Sequence, residues 1–168
     1  MSDENRSGIP APPEDDFTYR GNRLGLPESG TGSVPGVVRR LVGLALDWGL
    51  ASMIVWGAIN LGLIGQEHAA AAAGGGEQEA LALTNFTTLS TLSVFAAMSL
   101  LLLTLFGTTI GRRIVGVGIT ATGDRSWPWF VSMAVRTVLL CLVIPAVVYD
   151  RDTRGLHDRA AGTIATRY

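Results

Sequence analysis

The chain has no lysine, one cysteine and few charges: of its 168 residues, 16% are Asp, Glu, Lys or Arg, against about a quarter in soluble domains. All thirteen basic residues are therefore arginines, which reads as coding bias in a GC-rich genome and not as a site. The lone Cys141 excludes an internal disulfide and, within the apolar stretch Val138 to Ile144, reads as a small buried side chain. A phosphate-cradling loop is excluded too. Gly107, Gly111, Gly116 and Gly118 lack the lysine and the strand-to-helix setting that such loops need. The acidic, proline-containing start is unlike a cleavable secretion signal, so targeting falls to the first apolar helix. With a net charge of −1 no nucleic-acid partner is expected.

Apolar residues, in contrast, make up 48% of the chain. The run Leu41–Ile64 is 24 residues long and follows Arg39 and Arg40. As a helix it would be roughly 36 Å long, enough to cross a hydrocarbon layer of about 30 Å. A second run, from about Thr84 to Phe106, is also long enough. Arginines flank the start of the first and the end of the second, where Arg112, Arg113 and Arg125 follow, while residues 65–83 contain none. Positive residues collect on the cytoplasmic side. The N-terminus is thus expected in the cytoplasm and the 65–83 loop outside.

A third region, Trp127 to Tyr149, carries Arg136 near its middle and Pro145 near its end. Its unbroken part, Thr137 to Tyr149, would be only about 20 Å long as a helix. A full crossing would also put Arg151, Arg154, Arg159 and Arg167 outside. A re-entrant or tilted helix is expected instead, broken at Pro145, with the C-terminus back in the cytoplasm. Ile114–Thr120 and Gly162–Thr166 read as short strands that could pair on that side. Residues 1–36 hold five prolines and the acidic group Glu14, Asp15 and Asp16. They are expected to be a disordered tether, leaving 37–168 as one transmembrane domain. The expected fold is thus an all-α membrane protein with two transmembrane helices, a third re-entrant or tilted one and a short β pairing.

Asp47 is the residue that most needs explaining. A carboxylate inside a membrane helix costs about 2.5 to 3.5 kcal/mol on insertion scales, so it should face a partner. Gly43, Asp47 and Ala51 share a face on which a second helix can approach closely. Arg136 is the expected partner, in a bidentate pair that fixes packing. Arg40, two turns from Asp47, reads as an interfacial anchor that could pair with Asp158. His157 reads as a hydrogen-bonding residue, since a zinc site needs three or four ligands. Arg112 and Arg113 read as contacts to anionic lipid head groups. No nucleophile–base constellation stands out, so no catalysis, cofactor or metal is expected.

Taken together, these residues resemble the RDD family of bacterial membrane proteins, named for one arginine and two aspartates. Arg40 in Arg39-Arg40-Leu41-Val42 stands at the family's arginine. Asp47 stands at its first aspartate, and Asp158 in Leu156-His157-Asp158-Arg159-Ala160-Ala161-Gly162-Thr163 at its second. Gly111-Arg112-Arg113-Ile114-Val115-Gly116-Val117 resembles the basic signature after helix two, with Arg112 where lysine is common. The resemblance spans about Pro35 to Thr166, and Val138–Asp152 is similar to actinobacterial members. It implies an integral protein of the bacterial cell membrane, in a family where cation/proton exchange is suggested for some members. Two functions follow as expectations. One is a non-enzymatic module whose Arg/Asp network organises helix packing and assembly as a homo-oligomer or with a membrane partner. The other is a component of a cation/proton-coupled transporter with Asp47 as the exchanging carboxylate.

Overall fold

The computed structural model describes residues 18–122, 128–142 and 154–168. The first long helix, α1 (Val37–Asn60), begins after Pro35 and the extended Gly36, and ends at Leu61 before the left-handed Gly62. It buries Gly43, Asp47, Ala51, Val55 and Ile59, one residue in four. The other long helix, α3 (Glu77–Phe106), buries Thr87, Thr91, Phe95, Ser99 and Leu103 at the same spacing. Rows of every fourth residue are the ridges that interlock when two helices pack. Both helices are long and apolar enough to cross a membrane.

Hydroxyls in these helices satisfy themselves locally. Ser52, Thr84, Thr87, Ser93 and Thr104 each donate to the carbonyl four residues earlier, at 2.6–2.9 Å. That choice suits surroundings without water. The 65–83 segment is more regular than a loop. The alanine tract forms α2 (Gln66–Ala73), and α3 starts at Glu77, a turn and more before the expected Thr84. Alanine is the strongest helix former, and Glu77 and Glu79 suit a first turn by their charge. Only Gly74, Gly75 and Gly76 interrupt.

After Gly107 the chain turns back as the short helix α4 (Ile110–Ile114) and enters strand β1 (Val117–Ala121). Strand β2 (Thr163–Arg167) pairs with it antiparallel, from Val117 opposite Arg167 to Ala121 opposite Thr163. The expected pairing of two short strands is therefore present, although Ile114 belongs to α4. Helix α5 (Trp129–Cys141) is 13 residues long, about 20 Å, too short to span by itself. Its Trp129 Nε1 donates to Thr104 O at 3.0 Å, which ties α5 to the end of α3. Pro145, the expected breaking point, lies outside the described residues. The last helix, α6 (Leu156–Ala160), leads directly into β2.

Two apolar clusters hold these elements together. Ala51, Phe95 and Leu140 join α1, α3 and α5. Leu103, Val117, Ile119, Met133 and Ala165 join α3 and α5 to the sheet. The N-terminal segment differs from the expected tether. Residues 18–36 are folded, with Ser33 and Pro35 buried. Gly32 N donates to Arg167 O at 2.8 Å, and Arg167 N to Ser33 O at 2.9 Å. These bonds cover an otherwise open edge of β2. Residues 1–17 lie outside the described residues.

Candidate functional site

Asp47 is 1% exposed, ten residues into α1. Its carboxylate accepts a hydrogen bond from the Thr109 hydroxyl and another from Gly111 N, the latter at 2.7 Å. Thr109 and Gly111 flank the first residue of α4, so Asp47 caps that helix from across the fold, a role usually taken by a local side chain. The cap depends on a close backbone approach. A Cβ on Gly111 would overlap Gly43 O and lie 2.8 Å from Asp47 N. A Cβ on Gly43 would sit 3.1–3.2 Å from the Arg112 stem, its backbone and Val115. The small-residue face expected around Asp47 is therefore used, and its neighbour is α4.

Arg136 is not the partner of Asp47, contrary to expectation. Its Nη1 pairs with Asp158 Oδ1 and also donates to Thr163 Oγ1 at 3.2 Å. The reason lies in α4. With Gly111 packed on Gly43, a hydroxyl and an amide reach the Asp47 carboxylate, and charge alone does not decide the pairing. Arg136 instead faces α6, where Asp158 is fully buried.

Asp158 collects the basic residues. Arg40 Nη1 reaches its Oδ2 at 3.5 Å, so the pairing expected as an option for Arg40 is present. His157 Nε2 lies 3.7 Å from its Oδ1, and Thr163 Oγ1 bonds to its backbone carbonyl at 3.4 Å. Arg112 is only 7% exposed. Arg112 therefore belongs to the interior group and not to the lipid-facing surface, unlike its exposed neighbour Arg113.

The arrangement thus has two linked parts. Arg40 and Arg136 join α1 and α5 to α6 through Asp158. Asp47 holds the start of α4, and so the backbone immediately before Arg112. Thr109 and Thr163 belong to the site and were not anticipated. Thr109 carried a signal, as a threonine at the N-cap position of a glycine- and arginine-containing helix; Thr163 stood only as the last residue of the family-like stretch, with no role assigned to it. A carboxylate enclosed by guanidinium groups and a carboxylate used as a helix cap make rigid joints.

Two apolar helices of membrane length, a short third one and buried charges between them fit a helical protein able to span a membrane. The chain belongs to the RDD family, whose sequence model matches residues 34–162. The match includes Arg40, Asp47 and Asp158 and leaves out most of the N-terminal segment that covers β2. No curated protein and no solved structure matches the chain.

Proposed function

We propose that the protein is a non-enzymatic module of the bacterial cell membrane, whose buried charges lock its helices into one packing so that its remaining surface can meet a partner. The observation that carries this reading is the full burial of Asp158 among Arg40, Arg136 and His157. Buried ion pairs add little net stability, yet breaking one is costly, so their best-supported use is to specify one arrangement. In each long helix only 22% of the most apolar 18-residue window is buried within the protein. Val38, Met53, Trp56, Leu89, Leu101 and Leu105 all stand on the outside, which suits lipid and a second copy or a membrane partner.

The proposed topology has the N-terminus in the cytoplasm, α2 outside, and α5 as a re-entrant or tilted helix returning the C-terminus to the cytoplasm. The arginine distribution supports this orientation. The β1–β2 pairing supports a shared side for residues 117–121 and 163–167.

A transport component remains the second reading, favoured by one observation. The two described donors to Asp47 are neutral, a hydroxyl and an amide, so neither of them offsets its charge. Two or three helices cannot enclose a pathway, so transport would need an oligomer or a partner. Asp47→Asn separates the readings. The module reading expects unchanged cation/proton exchange in vesicles together with lower protein abundance. Loss of exchange at unchanged abundance and oligomer size would favour transport.

A further inference from the structure

Outside the charged interior, the described residues form an open groove of about 760 Å³ at the start of α1. It is lined by Gly36 just before α1, by Val38, Arg39 and Val42 of α1, and by Ile114, Val115, Gly116 and Arg167. Its chemistry is two-sided. Val38 and Ile114 are more than 70% exposed apolar side chains, with Val42 also exposed. Arg39 and Arg167 supply two guanidinium groups, and no carboxylate is among the lining residues. Neither arginine forms an ion pair with another described residue.

Both arginines are held in place. Arg39 Nη1 donates to Val115 O at 3.0 Å, bridging α1 to the end of α4. Arg167 is held through its backbone, with its N–H on Ser33 O and its carbonyl on Gly32 N. The fold thus spends the N-terminal segment on fixing one wall of this groove.

We propose that the groove binds the head group of an anionic phospholipid, with the phosphodiester between Arg39 and Arg167 and an acyl chain along Val38, Val42 and Ile114. The proposal rests on the membrane reading and goes beyond it by naming a built site. Two points favour this occupant. Guanidinium groups match the geometry of phosphate oxygens, and an exposed apolar wall beside them at the mouth of a membrane helix matches the junction of head group and chain. The groove also differs from a diffuse basic surface, because the exposed Arg113 is not among its lining residues.

The test is native mass spectrometry of the full chain in detergent, titrated with phosphatidylglycerol or phosphatidylcholine. The proposal expects retention of phosphatidylglycerol in preference to phosphatidylcholine. The double variant Arg39→Gln/Arg167→Gln should weaken phosphatidylglycerol binding roughly tenfold or more, while Arg113→Gln changes it less than about twofold. Val38→Ser should weaken binding of the lipid, and excess inorganic phosphate should leave the lipid bound. Arg39 also braces the fold, so Arg39→Lys and Arg167→Gln are measured singly. The lysine variant, which keeps the charge without the planar fork, should lose less binding than the double variant, and the single glutamine variant should lose part of it at an unchanged melting temperature. Equal binding of the two lipids, equal loss in Arg113→Gln, or displacement of the lipid by inorganic phosphate would each overturn the proposal. Loss of the Asp47 or Asp158 joints would not produce that pattern, so failure here is distinguishable from failure of the module reading.

Discussion

Replacing Asp158 by asparagine would remove the charge that Arg136 and Arg40 share, without changing side-chain size. Arg136 is 2% exposed and Asp158 fully buried, so water cannot take over the lost interaction. Breaking a buried pair in this way costs about 3–5 kcal/mol, a large share of the 5–15 kcal/mol that holds a typical domain together. The assay is thermal and denaturant unfolding of the purified protein in one detergent, read by size-exclusion chromatography and circular dichroism. A second substitution makes the test specific. In Arg136→Met/Asp158→Leu both members of the closest pair become apolar, and most of the stability should return, because buried pairs roughly break even against well-packed apolar residues. Arg40 loses one contact in either variant, so a residual deficit of about 1 kcal/mol is expected from a hydrogen bond forgone. The coupling between positions 136 and 158 should therefore exceed about 2 kcal/mol. A loss below about 1 kcal/mol in Asp158→Asn, or a double variant as unstable as the sum of its singles, would refute the reasoning.

Changes at the remaining joints are read by the same unfolding assay. Gly111→Ala should destabilise by about 1–3 kcal/mol or more, because its methyl group would press on the backbone of α1; Gly43→Ala should cost less, since its contacts lie at 3.1–3.2 Å. Asp47→Ala should cost about 1–2 kcal/mol by uncapping α4, and Asp47→Asn less, because the carboxamide oxygen still accepts one bond. Deleting residues 2–33 should cost about 1–3 kcal/mol through the two backbone bonds to Arg167.

The long helices were legible because an apolar run of membrane length has few alternative folds, and the strand pair because β-branched residues ended at glycine-rich turns. The face containing Gly43, Asp47 and Ala51 was legible from its spacing, and the option of Arg40 meeting Asp158 from charge. The partner of Asp47 was not. Matching an aspartate to the nearest apolar-flanked arginine considers side chains alone, while the winning donors came from Thr109 and a backbone amide brought in by the return of α4. Arg112 was misjudged for the same reason, since a five-residue helix turned inward has no periodicity to reveal its buried side. Residues 18–36 looked unable to order themselves because their apolar content is low. Their order comes from hydrogen bonds to β2, which is distant in sequence.

In the proposed topology α1, α5 and α6 bring their charges together on one side of the bilayer. Cysteine labelling in intact cells tests this most directly, in a Cys141→Ser background with a single cysteine placed at Ala72 or at Tyr168. A membrane-impermeant maleimide is expected to label position 72 in intact cells and position 168 only after permeabilisation. Labelling of position 168 in intact cells, with position 72 also accessible, would put the C-terminal strand on the side of α2 and contradict the proposed topology.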